Sequence, residues 1–151
     1  MSFHSYVSFK GKTQGTLKGE SSKAGRHDKW TELVDFKMGA ESPVDQNTGR
    51  PKGARTHQPI TITKESGVAS PQLLNAHWAS EIFDEVVIEI VGRPSRGAGE
   101  IVVQRITLTN ATLSRYRIYS PTASHGQASS RSRTFLADYI FDYEKIDFRS
   151  Y

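Results

Sequence analysis

The chain has 151 residues, of which 36% are hydrophobic and 24% charged, with a formal net charge of +4 and no cysteine. A chain of this size builds one compact core, and the lack of cysteine excludes disulfides, thiolate catalysis and Cys-ligated zinc or iron–sulfur centres. No apolar run is long enough to span a bilayer, and the start "MSFHSYVSFKGK" is not a secretory leader, so folding in the cytoplasm is predicted.

The dominant periodicity is two. Phe3, Val7 and Phe9 alternate with His4, Tyr6 and Ser8 in a first half-buried strand. Val34, Phe36 and Met38 alternate with Leu33, Asp35 and Lys37 in a second, ending at Gly39. From Gly39 to His57 runs "GAESPVDQNTGRPKGARTH", too long and too rich in Gly and Pro for an ordinary connection, which predicts a role outside the domain. Its Glu41, Asp45, Arg50, Lys52 and Arg55 offer polar contacts to another surface. Pro59 then starts a third, β-branched strand in which Ile60 and Ile62 alternate with Thr61 and Thr63.

One helix is predicted, about residues 70–79. Ser70 suits its N-cap and Pro71 its first position, and Leu73, Leu74, His77 and Trp78 form its apolar stripe. "FDEVVIEIVG" places Val86, Ile88 and Ile90 opposite Glu85 and Glu89. After the turn "RPSRGAG", "EIVVQRITLTN" returns as the second arm of a hairpin with Val102, Ile106 and Leu108 inward. "ATLSRYRIY" reads as a further strand broken by Pro121, and the polar tract from Ser120 to Ser132 as a loop. "TFLADYIFDYEKIDF" closes the chain with Phe135, Tyr139, Phe141 and Tyr143 opposite Asp138, Asp142 and Glu144. Many strands with one helix define a mainly β fold, a sandwich or a closed barrel with the helix packed on it.

The chemical motifs are weak. "GKT" at 11–13 ends like a phosphate-binding loop, but Tyr6 stands where the earlier Gly is needed and no helix follows. No "GxSxG" elbow is present, and combinations such as Ser66, His57 and Asp84 carry no spacing signal. His77 and Glu81 are four apart but too few to hold a metal; a core-facing His beside a solvated Glu is the simpler reading. Glu85 and Glu89 fit a solvated or inter-subunit face better than an acid/base pair. The aromatic stripe from Phe135 to Tyr143 fits a barrel wall better than a base-stacking platform. The basic residues Lys10, Lys12, Lys18, Lys23, Arg26 and Lys29 cluster near the start, yet without the aromatic interleaving of a nucleic-acid stripe. The residues support no catalytic, cofactor or metal site.

"GKTQGTLKG", the Gly/Pro-rich loop, "HQPITITKESGVASPQLLNAHW" and "EIVVQRITLTNATLSRYRIYS", in that order and followed by "DYIFDYEKIDF", resemble the Hcp family, the haemolysin-coregulated tube proteins of bacterial type VI secretion. The resemblance covers nearly the whole chain. It implies one Hcp-like domain over 1–151: a β-barrel formed by two packed antiparallel sheets with a flanking α-helix and a long extended loop. It further implies a homohexameric ring with an open channel, and rings that stack into a tube driven out by a contractile sheath beneath a VgrG spike. Secreted effectors carried in the lumen, and export without a signal peptide, belong to the same picture. In the family the long loop reaches neighbouring subunits, which makes Pro43, Asp45, Asn47, Arg50, Lys52 and Arg55 the candidate inter-subunit or ring-stacking residues, the three cations for stacking. A ring also allows Glu85 and Glu89 to face Arg115 and Arg117 of neighbouring strands or subunits. With the chain stopping at Tyr151, no appended toxin domain is expected. The alternatives are a phage-like tail tube protein and, from another class, a basic β-barrel that binds nucleic acid or polysaccharide.

Overall fold

The structure, a computed structural model, describes residues 2–19, 30–41, 45–50, 56–67, 69–93, 99–120 and 135–151. The strands are β1 (Ser2–Gly11), β2 (Gly15–Thr16), β3 (Thr31–Leu33), β4 (Asp35–Glu41), β5 (Thr56–Glu65), β6 (Ile82–Arg93), β7 (Ile101–Tyr119) and β8 (Leu136–Ser150), and the helix α1 (Ala69–Trp78) falls between β5 and β6. All pairings are antiparallel, in the order β2-β1-β6-β7-β8-β5-β4, with β3 paired to β1 on the side that β2 also occupies. The mainly β class with one flanking helix is therefore present, its strands hydrogen-bonded as one continuous sheet.

The two ends of that sheet are linked through one residue. β3 pairs with β1 and β4 pairs with β5, and only Val34 stands between them. The Val34 N–H turns away from β1 and donates to the Thr63 carbonyl at 2.9 Å. The segment 31–41 thus stitches β1 to β5 and wraps the sheet around its core. Leu33 is buried and Phe36 packs partly against the core, whereas Val34 and Met38, which the alternation sets on the same face as Phe36, are 58% and 41% exposed. The strand continues past Gly39 to Glu41.

Inside, Phe9, Phe83 and Phe141 pack as a triangle with ring centroids 5.6–6.1 Å apart, surrounded by Val7, Ile60, Ile62, Val86, Ile88, Ile106, Leu108 and Tyr139. Such offset and tilted aromatic pairs add to the stabilisation from burial alone. Tyr139 and Phe141 are fully buried, so the closing aromatic stripe is barrel wall; Phe135 lies just before β8 and is 59% exposed.

Three further readings are corrected. Pro59 lies within β5, beside the register shift where β4 skips from Lys37 to Gly39, because a residue without an N–H fits where the ladder is already interrupted. The two strands read as "EIVVQRITLTN" and "ATLSRYRIY" are one, β7, bent at Asn110, whose φ of 52° is a left-handed conformation that Asn tolerates. The helix buries Ser70, Leu73 and Ala76, while Trp78 is 71% exposed. At 100° per residue Trp78 falls about 140° away from Leu73, off the buried face. The tract 121–134 and the turn 94–98 lie outside the described residues, although β6 and β7 pair as the hairpin requires.

Candidate functional site

Polar clamps fix the helix on the barrel. Ser70 sits one residue inside α1, and its hydroxyl does not cap an orphan N–H of the helix. It accepts from the Gly67 N–H at 3.0 Å and lies 3.3 Å from the Ser66 hydroxyl and 3.3 Å from the Tyr139 phenol. Lys64, fully buried, donates to the Glu65 carbonyl at 2.7 Å with its Nζ 5.9 Å from the centre of the Tyr139 ring. On the flank, the Gln72 amide exchanges hydrogen bonds with the Lys18 backbone. His77 meets the Leu113 carbonyl at 3.0 Å and packs edge-on against Tyr116.

The loop that resembles a phosphate cradle is a cradle, and its anion belongs to the chain. Glu81, 8% exposed, turns its Oε2 to the backbone N–H groups of Thr13 (3.2 Å) and Gln14 (3.1 Å), while its Oε1 accepts from the Gln14 amide at 3.3 Å. Glu81 is therefore not the solvated partner of His77: His77 turns to β7 and Glu81 to the turn after β1. Gly11 leaves room for it, since a Cβ there would meet Glu81 Oε2 and make the carboxylate shift.

The carboxylates of β6 part company. Glu85 is exposed, but Glu89 is fully buried, with Oε2 3.6 Å from Arg105 Nε of the paired β7 residue. Within the chain neither faces Arg115 or Arg117. Arg117 pairs with Asp138 at 2.9 Å, and both arginines lie beyond Asn110, on the part of β7 paired with the β8 residues that β5 covers.

Of the candidate assembly-loop residues, Asp45, Asn47 and Arg50 share one tight turn. The Gly49 N–H donates to the Asp45 carbonyl at 2.7 Å, the Asp45 N–H to the Arg50 carbonyl at 2.8 Å, and the Asn47 N–H to Asp45 Oδ1 at 2.9 Å. Gly49 has φ +70°, which favours glycine. Asn47 and Arg50 are exposed on this turn. Pro43, Lys52 and Arg55 lie outside the described residues.

A surface not singled out from the sequence lies at the opposite end of β8. β5 covers β8 only from Leu136 to Phe141. From Asp142 to Ser150, β8 pairs with β7 alone, and among the described residues its other edge carries no strand. Phe148 shares a cross-strand row with buried Ile106, Ile88 and Val7, yet is 50% exposed. Phe3, Ile101 and Tyr151 are exposed nearby, around an apolar cavity of about 440 Å³ bordered by Phe3, Ile90, Val103 and Tyr151. A period-two pattern reports which face a residue occupies and says nothing of where the neighbouring strand ends, which is why this surface was hidden.

Fold and surfaces together define a mainly β scaffold, a barrel braced by one clamped helix and, among the described residues, an uncovered sheet edge. The chain matches the family described as "Type VI secretion system effector, Hcp" over residues 6–149 and belongs to the Hcp family of type VI secretion tube proteins. It is 27% identical, over 97% of its length and 88% of the relative's, to the "Major exported protein" of Pseudomonas aeruginosa. Its fold matches a crystal structure of an Hcp protein with a TM-score of 0.86 at 23% identity, covering 99% of this chain and 92% of that one. Hcp1 of Escherichia coli matches with a TM-score of 0.77 at 21% identity, covering 99% and 92% respectively.

Proposed function

We propose that this tube protein works as a homohexameric ring, that the rings stack, and that it has no enzymatic activity of its own. The observation that carries this reading is the edge of β8 from Asp142 to Ser150, uncovered among the described residues and flanked by exposed Phe3, Ile101, Phe148 and Tyr151. An unpaired edge beside apolar side chains is a liability in an isolated chain and a seam in an assembly. A second copy placed there completes the hydrogen bonding of the strand and covers the aromatic groups; closing the operation on itself yields a ring.

Under this reading the single Hcp-like domain spans residues 1–151. The 39–57 region, with Pro43, Asp45, Asn47, Arg50, Lys52 and Arg55, joins one ring to the next, and the turn that presents Asn47 and Arg50 supports that assignment. A VgrG spike, a contractile sheath and effectors carried in the lumen are the partners the family implies. The protein assembles in the cytoplasm and is then exported from the cell. Negative-stain images of the purified protein test the reading: rings with an open centre support it, and isolated globular particles at every concentration reject it.

A further inference from the structure

On the outer face of the barrel, one cross-strand row runs over four strands: Lys37 on β4, Thr61 on β5, Ile140 on β8 and Arg115 on β7. Its two ends are cations. Both are exposed, and neither lies within ion-pair or hydrogen-bond distance of any group among the described residues. Each also adjoins a register shift, between Lys37 and Gly39 on β4 and between Leu113 and Arg115 on β7. Bulges re-aim side chains and recur beside binding sites. Around Arg115 the surface is concave: depressions of about 250 Å³ and about 480 Å³ adjoin, sharing Thr61, Ile140 and Arg115, with Pro59 and Gln58 at the far margin.

The next row has the opposite character. It reads Asp35, Thr63, Asp138, Arg117. Asp138 is already engaged by the Thr63 hydroxyl at 2.7 Å, Arg117 at 2.9 Å and the Tyr119 phenol at 3.3 Å, and Arg117 lies over the Tyr119 ring. On the other side of the cationic row, Asp142 stands two residues beyond Ile140 on β8. The row is thus a strip with positive ends and an apolar middle, flanked by carboxylates.

We infer that this strip is a docking site for an extended segment of another protein carrying two carboxylates. Three inter-strand steps separate Lys37 from Arg115, about 14 Å, which an extended chain spans in about four residues. The segment that fits bears acidic residues four positions apart, with an apolar residue between them over Ile140. The strip offers two separated cations and is bordered along both sides by carboxylates, so a segment with two matching carboxylates fits it better than nucleic acid, which carries a charge at every unit. The site is independent of the β8 seam and does not rest on ring assembly.

The test is fluorescence anisotropy of the full-length protein with a labelled peptide that carries two Glu four positions apart around a central Leu. Controls are the same peptide with Gln for Glu and a single-stranded oligonucleotide. The acidic peptide is expected to bind, to weaken as salt rises from about 50 to about 200 mM, and to bind about tenfold more weakly to Arg115→Glu and to Lys37→Glu. Both substitutions are at exposed positions, and an unchanged circular dichroism spectrum shows that the variants fold. Equal binding of the Glu and Gln peptides, tighter binding of the oligonucleotide, or indifference to both substitutions overturns the site. So does a change of oligomeric mass in Arg115→Glu without a loss of peptide binding, which assigns the face to contacts between copies.

Discussion

Glu81 holds Gln14 from two sides, Oε2 accepting its backbone N–H at 3.1 Å and Oε1 its side-chain amide at 3.3 Å. Two elements meet in that contact, the start of β6 just after the helix and the turn that follows β1. Backbone N–H groups arranged around a carboxylate make the same nest that other proteins use for phosphate, and here the occupant is covalently part of the chain.

Glu81→Ala is predicted to lower stability by about 2 kcal/mol, since hydrogen bonds to a charged acceptor are worth about 1.5–3 kcal/mol and the freed N–H groups of Thr13 and Gln14 are partly buried. Gly11→Ala is predicted to destabilise in the same way by pushing the Glu81 carboxylate out of the cradle. Urea denaturation followed by tryptophan fluorescence measures both. A Glu81→Ala midpoint equal to that of the parent would refute the cradle as a stabilising contact.

A second prediction concerns alkaline pH. Burial raises the Tyr119 pKa above its ordinary value, and the charge and hydrogen bond of Asp138 raise it further, outweighing the opposite pull of Arg117. Burial, then Asp142, raises that of Tyr143. Each phenol is held neutral more firmly in the folded than in the unfolded chain. The stabilisation is therefore fully present below the unfolded tyrosine value of about 10 and is lost as pH rises through the higher folded values. Tyr119→Phe should flatten the loss of stability above about pH 10. Denaturation midpoints across the alkaline range, with phenolate absorbance for the titration, decide it; parent and variant losing stability in parallel would contradict the assignment.

The proposed stacking role of the 39–57 region predicts a separation of folding from tube formation. Deleting residues 43–53 removes no residue of β4 or β5, so circular dichroism and the thermal transition should stay close to those of the parent. Tubes seen by electron microscopy should shorten or disappear. Tubes of unchanged length would end the case for Asn47, Arg50 and their neighbours as stacking residues.

What the sequence revealed, and what it hid, divides along the range of the interactions. β-Branched and aromatic alternation placed Ile60, Ile62, Ile88, Leu108, Tyr139 and Phe141 in the core, because each strand's own backbone fixes which side chains share a face. It grouped Val34 and Met38 with Phe36, yet of the three only Phe36 packs against the core: Val34 lies at the change of partner from β1 to β5 and Met38 at the register shift between Lys37 and Gly39. Glu81 and Glu89 were read as solvated or as inter-subunit groups because their partners, the 12–14 turn and Arg105, are remote in sequence. The long Gly/Pro-rich segment was conspicuous by composition. The β8 seam was not, because it arises where β5 ends, a fact that no local pattern in β8 contains.

The seam makes the central claim measurable. Phe148 is half-exposed at the edge of the sheet, so Phe148→Glu leaves the Phe9–Phe83–Phe141 core untouched while placing a charge in the proposed contact between copies. Size-exclusion chromatography with light scattering should give six times the 16.9 kDa chain mass for the parent and a folded single chain for Phe148→Glu. A parent that elutes as a monomer, or a Phe148→Glu variant that still forms six-membered rings, contradicts the assignment of this surface to ring assembly.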